Sequence, residues 1–247
     1  MNYRAITQKP AYHLQHWLQR GLALLFPPQC VACRRPGWLL CPHCAQAVEP
    51  IREPICLQCG RPQASATKRC TGCRQWVDFP LVMMRVVAFH ATPLREAIHA
   101  LKYDNCPELA ESLARYLYAT LLQMPWGQAY QEVDCVIPVP LHEARRQERG
   151  YNQSELLAQA LCRRLPLPLQ AAWLVRQRAT ASQVGLNAVE RRANVAEAFV
   201  ASSAVIGKRV MLIDDVYTTG ATLYACANAL RAAGATAIYG LALACPR

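Results

Sequence analysis

Residues 210–223 read VMLIDDVYTTGATL. Four apolar residues, Val210, Met211, Leu212 and Ile213, run straight into Asp214 and Asp215, and these into Val216-Tyr217-Thr218-Thr219-Gly220-Ala221-Thr222. A short apolar run bounded by a turn signal is the pattern of a fully buried strand. Such a strand would fix both carboxylates at the point where the chain leaves the sheet. The Thr-rich turn then opens a helix whose first amides lack internal partners and whose dipole favours an anion by about 0.3–1 kcal/mol. Gly220 lets the backbone approach a phosphate closely, and Thr218, Thr219 and Thr222 add hydroxyl donors. The two acids repel that phosphate, so their natural partners are hydroxyls or a divalent cation nearby, which is the layout of a sugar phosphate. The ordinary alternative is a capped helix after a strand, with Asp215 or Thr219 as the cap. The string as a whole favours the ligand reading. It is not a nucleotide P-loop, because no G-x-x-x-x-G-K-[ST] occurs.

Outward from this stretch, apolar runs alternate with helical periodicity. Strands are predicted over 81–89, 133–137, 169–175, 210–213 and 236–244, and helices over 93–102, 107–122, 154–165, 188–199 and 221–233, the last closed by Gly234. This alternation predicts an α/β fold, a mostly parallel sheet with helices on both faces. Ligands of such sheets bind beyond the carboxyl ends of the strands, where Asp214 to Thr222 fall.

The first third has a different character. Thirteen cysteines could signal a secreted disulfide scaffold, but eight form four CxxC pairs: Cys30/Cys33, Cys41/Cys44, Cys56/Cys59 and Cys70/Cys73. Each CxxC turn aims two sulfurs at one point, and two turns complete the tetrahedral thiolate shell that Zn²⁺ prefers. With four protein ligands per ion such a zinc would be structural; disulfides and an iron–sulfur cluster are the alternatives. Residues 27–76 hold few aliphatic side chains, so zinc binding worth roughly 10–16 kcal/mol per site would supply what their core lacks. Spacing does not settle which turn pairs with which; consecutive ribbons are preferred over an interleaved cross-brace.

Metal rather than disulfide use points to a reducing cytoplasm. A boundary near residue 80 divides a double zinc ribbon, 27–80, from the α/β part, 81–247. Residues 1–26 precede them, with an amphipathic helix predicted over 12–26. The apolar run at 22–26 is far short of the about 20 residues that cross a bilayer, so no transmembrane segment is expected. Two zinc ions on eight thiolates together carry −4, so the formal charge of +11 falls to +7 and the chain stays basic. An anionic partner, nucleic acid or a phosphorylated metabolite, fits that balance.

The string from Ile213 to Leu223 resembles the phosphoribosyl pyrophosphate (PRPP) signature of type I phosphoribosyltransferases. The order of the surrounding motifs resembles the ComF family, including its GntX-type members. These motifs are the cysteine ribbon, Leu101-Lys102-Tyr103, Pro138-Val139-Pro140-Leu141, Arg149-Gly150-Tyr151-Asn152-Gln153, Arg176-x-Arg178-x-Thr180-x-x-Gln183, Arg191-x-x-Asn194 and Ala198-Phe199. The resemblance implies that the string from Asp214 to Thr222, with Val216 and Tyr217 included, binds PRPP: Asp214 and Asp215 hold the ribose hydroxyls, Thr218 to Thr222 take the 5-phosphate, and the pyrophosphate faces the turn after Ile137 with Mg²⁺ bridging it to the ribose. Where family members often carry glycine after the lysine, this chain has Asp104-Asn105, and Asn tolerates left-handed geometry better than most residues.

Departure of pyrophosphate leaves positive charge on the ribose ring, so electrostatic preorganisation should dominate. Asp214 and Asp215 are the candidate catalytic carboxylates; Lys102, Arg149, Arg178 and Arg191 are candidates to neutralise the leaving group. The 176–183 stretch, poor in apolar anchors, predicts a mobile hood over the ligand.

Two functions are compatible with these residues. One is phosphoribosyl transfer to a nitrogen nucleophile, with turnover and acceptor left open by the sequence. The other is ligand binding without turnover in a competence protein that handles single-stranded DNA and works with DNA-uptake partners. In the second, nine arginines between 145 and 192 and the aromatics Trp38, Trp76 and Tyr151 would contact the strand.

Overall fold

The computed structural model describes residues 27–76, 78–123, 130–178 and 198–247. The predicted helix over 12–26 lies outside the described residues, as do Thr180, Gln183, Arg191, Asn194 and most of the helix predicted over 188–199. Two short helices, α1 (Pro42–Gln46) and α2 (Thr71–Arg74), belong to the cysteine region. Strand β1 (Met83–Phe89) follows, then α3 (Leu94–Tyr103), α4 (Leu109–Leu121), β2 (Cys135–Pro138), α5 (Glu143–Arg149) and α6 (Gln153–Cys162). The chain ends with β3 (Leu174–Arg176), β4 (Phe199–Ala201), β5 (Arg209–Val216), α7 (Ala221–Ala232) and β6 (Ala237–Cys245).

Four strands form one sheet in the order β1-β6-β5-β2, and every pairing in it is parallel. The central strands β5 and β6 are buried almost end to end, as their continuous apolar runs require. Alternate residues feed opposite cores. Met211 and Ile213 pack with the leucines of α3, α4 and α6, while Val210 and Leu212 pack with α7 and the β3–β4 pair. Each cysteine group joins a different side: Cys30, Cys41 and Cys44 lie in the first core, and Cys56, Cys59, Cys70 and Cys73 in the second. The cysteine region is also stitched to the sheet edge, since the Ile51 amide donates to Val87 O at 2.9 Å and the Met84 amide to Gln58 O at 2.8 Å.

Several elements differ from expectation. The strand predicted over 169–175 contracts to β3, which leaves the main sheet and pairs antiparallel with β4. Phe199, expected at a helix end, starts β4. Helix α5 was not expected because its sequence, EARRQER, has no apolar face, and none of its residues is buried. Strand β5 runs on through Asp214 and Asp215, because its ladder with β6 continues as far as Val216 opposite Ala244. Both acids therefore sit in the sheet rather than in the turn after it. The expected left-handed turn is present at Asn105, with φ +49°.

Candidate functional site

At the carboxyl end of β5 a cleft of about 620 Å³ opens. Its walls include Asp214, Asp215, Val216, Thr218 and Thr222 from the opening stretch, Lys102 and Tyr103 from the end of α3, and Val139, Pro140 and Leu141 from the turn after β2. The two aspartates are 8% and 4% exposed. Each has its own partner, and that separates their chemistry. Lys102 Nζ forms an ion pair with Asp215 Oδ2. Ser154 Oγ donates to Asp214 Oδ1 at 3.1 Å, and the Asp215 amide donates to the same oxygen at 2.9 Å.

Burial and neighbouring charge set the charge state. Burial, then the charge of Asp215 beside it, pushes the Asp214 carboxyl up to about 8. Burial acts the same way on Asp215, but the Lys102 ammonium outweighs it and holds that carboxyl below its usual range. For Lys102 burial favours the neutral amine, and the Asp215 carboxylate overrides it and raises the pKa. At neutral pH the site thus holds an ionised Asp215, a protonated Asp214 and a charged lysine.

The turn after β5 is held from behind. Helix α7 begins after Gly220, whose φ is +84°, and no side chain caps it from that position. Thr219 Oγ1 accepts the Ala221 amide at 3.4 Å, so the ordinary capping role exists there in weak form. Tyr217 points away from the cleft: its ring is 2% exposed and its amide donates to Ala244 O at 2.8 Å. Thr218 and Thr222 face the cleft, whereas Thr219, Gly220 and Ala221 shape the backbone between them.

The cationic candidates separate. Lys102 is inside the cleft. Arg149 lies in a neighbouring groove, with its guanidinium 5.1 Å from the Tyr103 ring centre and hydrogen-bonded to Gln153 Oε1. Arg178 is exposed and is not among the cleft residues, whereas Arg176 is. Sequence reasoning missed Ser154 and the role of Asn152, which accepts the Ser154 amide at 3.0 Å while its Nδ2 donates to Val139 O at 3.0 Å. That one side chain ties the start of α6 to the turn after β2. The available signal was an Asn two residues before a Ser at a helix start, a capping pattern.

The eight CxxC cysteines make two clusters, Cys30/Cys33/Cys41/Cys44 and Cys56/Cys59/Cys70/Cys73, in each of which the sulfurs all lie within 4.8 Å of one another. Consecutive turns pair, as the preferred ribbon arrangement requires. The donor sets fit zinc, and backbone amides reach the sulfurs, from Cys41 to Cys30 Sγ at 3.4 Å and from Cys70 to Cys56 Sγ at 3.3 Å. Arg85 supports the fit at the second cluster. It is 5% exposed, bonds only carbonyls among the described residues (Leu57 O and Met84 O), and feels the charge of Cys56 and Cys59, so a tetrathiolate–zinc dianion would compensate its buried charge.

Residues 21–77 match the double zinc ribbon domain, and residues 152–245 match the phosphoribosyl transferase domain. The chain is 35% identical to DNA utilization protein YhgH of Escherichia coli K12, across 87% of this chain and 96% of that one. It is 32% identical to Competence protein F of Haemophilus influenzae, across 87% and 97%.

The chain belongs to the ComF family.

A more distant ComF relative, Competence protein ComFC of Bacillus subtilis, is 29% identical over 82% of each chain. Among solved structures, glutamine PRPP amidotransferase from B. subtilis, complexed with ADP and GMP, superposes with a TM-score of 0.40 at 19% identity. That match covers 59% of this chain and 30% of the other. The ComF assignment agrees with the parallel sheet, the helices on both its faces and the two cysteine clusters. No helix among the described residues is long and apolar enough to cross a membrane.

Proposed function

We propose that this ComF-family chain binds PRPP with Mg²⁺ in the β5 cleft and transfers or retains its 5-phosphoribosyl group in the service of DNA uptake. One observation carries the reading: Asp214, Asp215, Thr218, Thr222 and Lys102 line a single cleft beyond the carboxyl end of a central parallel strand. In this reading the ribbon, 27–80, and the α/β part, 81–247, are two units in one chain, and ligand chemistry belongs to the second. The need for eight reduced thiolates suits a cytoplasmic location.

The roles follow from the charges. The ribose hydroxyls meet Asp214 and Asp215, and a protonated Asp214 can donate to one of them. The 5-phosphate rests on the turn from Thr218 to Thr222, where the first amides of α7 lack internal partners and Thr218 and Thr222 line the cleft. Lys102 leaves Asp215 for the pyrophosphate, so ligand replaces an internal ion pair with an external one. As the bond from the anomeric carbon to pyrophosphate breaks, the freed Asp215 carboxylate faces the positive charge on the ring. The Asp215 carboxylate is the donor type a hard cation prefers, and Mg²⁺ held there would supply neutralisation of the leaving group. Arg149 and Arg178 would serve as outlying cations that draw the ligand in.

Calorimetry with PRPP, with and without Mg²⁺, on the native protein and the Asp214→Asn/Asp215→Asn double variant tests this. Binding by the native protein alone is expected; equal binding by both would remove the proposed sugar contact. Release of pyrophosphate with a panel of nitrogen nucleophiles decides between transfer and retention.

A second reading, contact with single-stranded DNA, is favoured by the groove beside the cleft. It measures about 370 Å³ and shares Lys102 and Tyr103 with the cleft, adding Arg145 and Arg149. Tyr103 is 63% exposed, whereas Tyr151 is partly buried and bonds Leu101 O at 2.7 Å, so Tyr103 is the better stacking surface. Loss of low-salt retention of a single-stranded oligonucleotide in Tyr103→Ala would support it; unchanged retention would count against this groove.

A further inference from the structure

The ligand turn rests on two tyrosine rings. A Cβ on Gly220 would lie 2.7 Å from Tyr224 Cε2 and 2.9 Å from Tyr217 Cε2, so the backbone at this position is flush against both side chains. Their hydroxyls are 2.5 Å apart, and Tyr217 and Tyr224 are both nearly fully buried. Where the rings stand therefore sets where the Gly220 backbone stands, and with it the neighbouring Thr218 and Thr222.

What holds the rings comes from the second cysteine cluster. Trp76 meets Tyr224 edge-on, with ring centres 4.3 Å apart at 79°, and Phe79 meets the same ring at 4.9 Å. Arg61 places its guanidinium 4.9 Å from the centre of the Tyr217 ring. Trp76 is three residues after Cys73, and Arg61 two after Cys59. Trp76 is fastened to its knuckle: its amide donates to Cys73 O at 3.2 Å, and Arg69 Nη2 donates to both Cys73 O and Trp76 O, at 2.8 and 2.7 Å. The first cluster has no part in this. It packs on the other side of the sheet, where Tyr116 OH donates to Ala45 O at 2.7 Å.

We propose that the second cysteine cluster is a strut for the turn at 217–220, acting through Trp76, Phe79 and Arg61 on the Tyr217–Tyr224 pair, so that an intact metal knuckle there holds the turn in its anion-receiving shape. Trp76 and Tyr224 are positioning residues: they reach a ligand only through the backbone they support. The identity of the anion rests on the PRPP reading above; the mechanical link does not. Such a link lets metal occupancy at one of two similar ribbons govern the cleft, while the other ribbon stabilises the opposite face.

Hydrogen exchange of the full-length, zinc-loaded protein, read over 217–222, tests it. Trp76→Leu and Cys59→Ser should each speed exchange there by about tenfold or more. Trp76→Phe, which keeps an edge-on ring, should return it to near the native rate. Cys33→Ser, which disrupts the first cluster, should speed exchange around 30–46 and leave 217–222 unchanged. Native rates at 217–222 in both Trp76→Leu and Cys59→Ser would overturn the strut, as would an equal rise in Cys33→Ser. If Cys59→Ser fails to fold, the Trp76→Leu and Trp76→Phe pair decides. Calorimetry with PRPP runs beside it. A native protein that takes up no PRPP while its turn still responds to Trp76→Leu would sink the ligand assignment and leave the strut standing.

Discussion

Replacing Asp214 by Asn isolates the consequence of burying two adjacent acids. Asn keeps an Oδ1 that can accept from Ser154 Oγ and from the Asp215 amide, so the local contacts survive and only the ionisation is lost. In the native protein burial and the Asp215 charge raise this carboxyl to about 8, from 3.8 as an ordinary side chain. A raised carboxyl makes the folded state bind the proton more tightly. Its contribution to stability is therefore complete below pH 4 and is lost progressively as pH climbs through 8. Integrating the excess bound proton from pH 6 to pH 8 gives a loss of about 2 kcal/mol from this group alone. Urea unfolding of the two proteins at matched pH values is the assay. The native curve should fall relative to Asp214→Asn by about that amount between pH 6 and 8, then run level with it above pH 9. Parallel curves from pH 6 to 9 would refute the protonated state of Asp214 and the hydrogen-bond role given to it.

Lys102→Met removes the partner of a nearly buried carboxylate and should cost about 3 kcal/mol at pH 8. Because Lys102 is what depresses Asp215, that stabilising contribution is present above the ordinary carboxylate range and lost as pH falls through the depressed pKa, so the native and variant stabilities should converge in acid. Equal cost at pH 8 and in acid would exclude the ion pair as its origin. Gly220→Ala forces a left-handed φ on a residue with a Cβ and drives that carbon into two buried rings; together these should cost about 2–5 kcal/mol in urea unfolding. A loss below about 1 kcal/mol would mean that the turn can yield. Metal analysis of the isolated protein should give two zinc ions per chain, and stripping them should lower the melting temperature sharply; a metal-free protein with an unchanged melt would remove the structural role of the clusters.

Much of this was legible because it depends on neighbours in sequence. The buried strand at 210–213, the helix after Gly220, the four CxxC turns and the left-handed Asn105 all follow from local pattern and backbone preference. The order of motifs along the chain likewise points to the ComF family. Other features were illegible for a definite reason. Helix α5 has no apolar face to announce it, and β3 left the main sheet because its partner, β4, is more than twenty residues away. Tyr217, placed among the ligand residues by its position in the signature, turned inward because the second core had aromatic surface to receive it.

The sequence by itself determined that two acids end a buried strand, that a glycine-containing turn follows, and that eight thiolates come in pairs fit for metal. Only the tertiary structure decided which carboxylate keeps its proton, because that depends on the burial of both acids and on a lysine more than a hundred residues away pairing with Asp215 rather than Asp214. It also decided that the two ribbons cover opposite faces of one sheet, with one behind the ligand turn and the other away from it. Spacing dictates contacts within a turn of chain; charge state and mechanical support arise from contacts between distant segments, which only folding brings together.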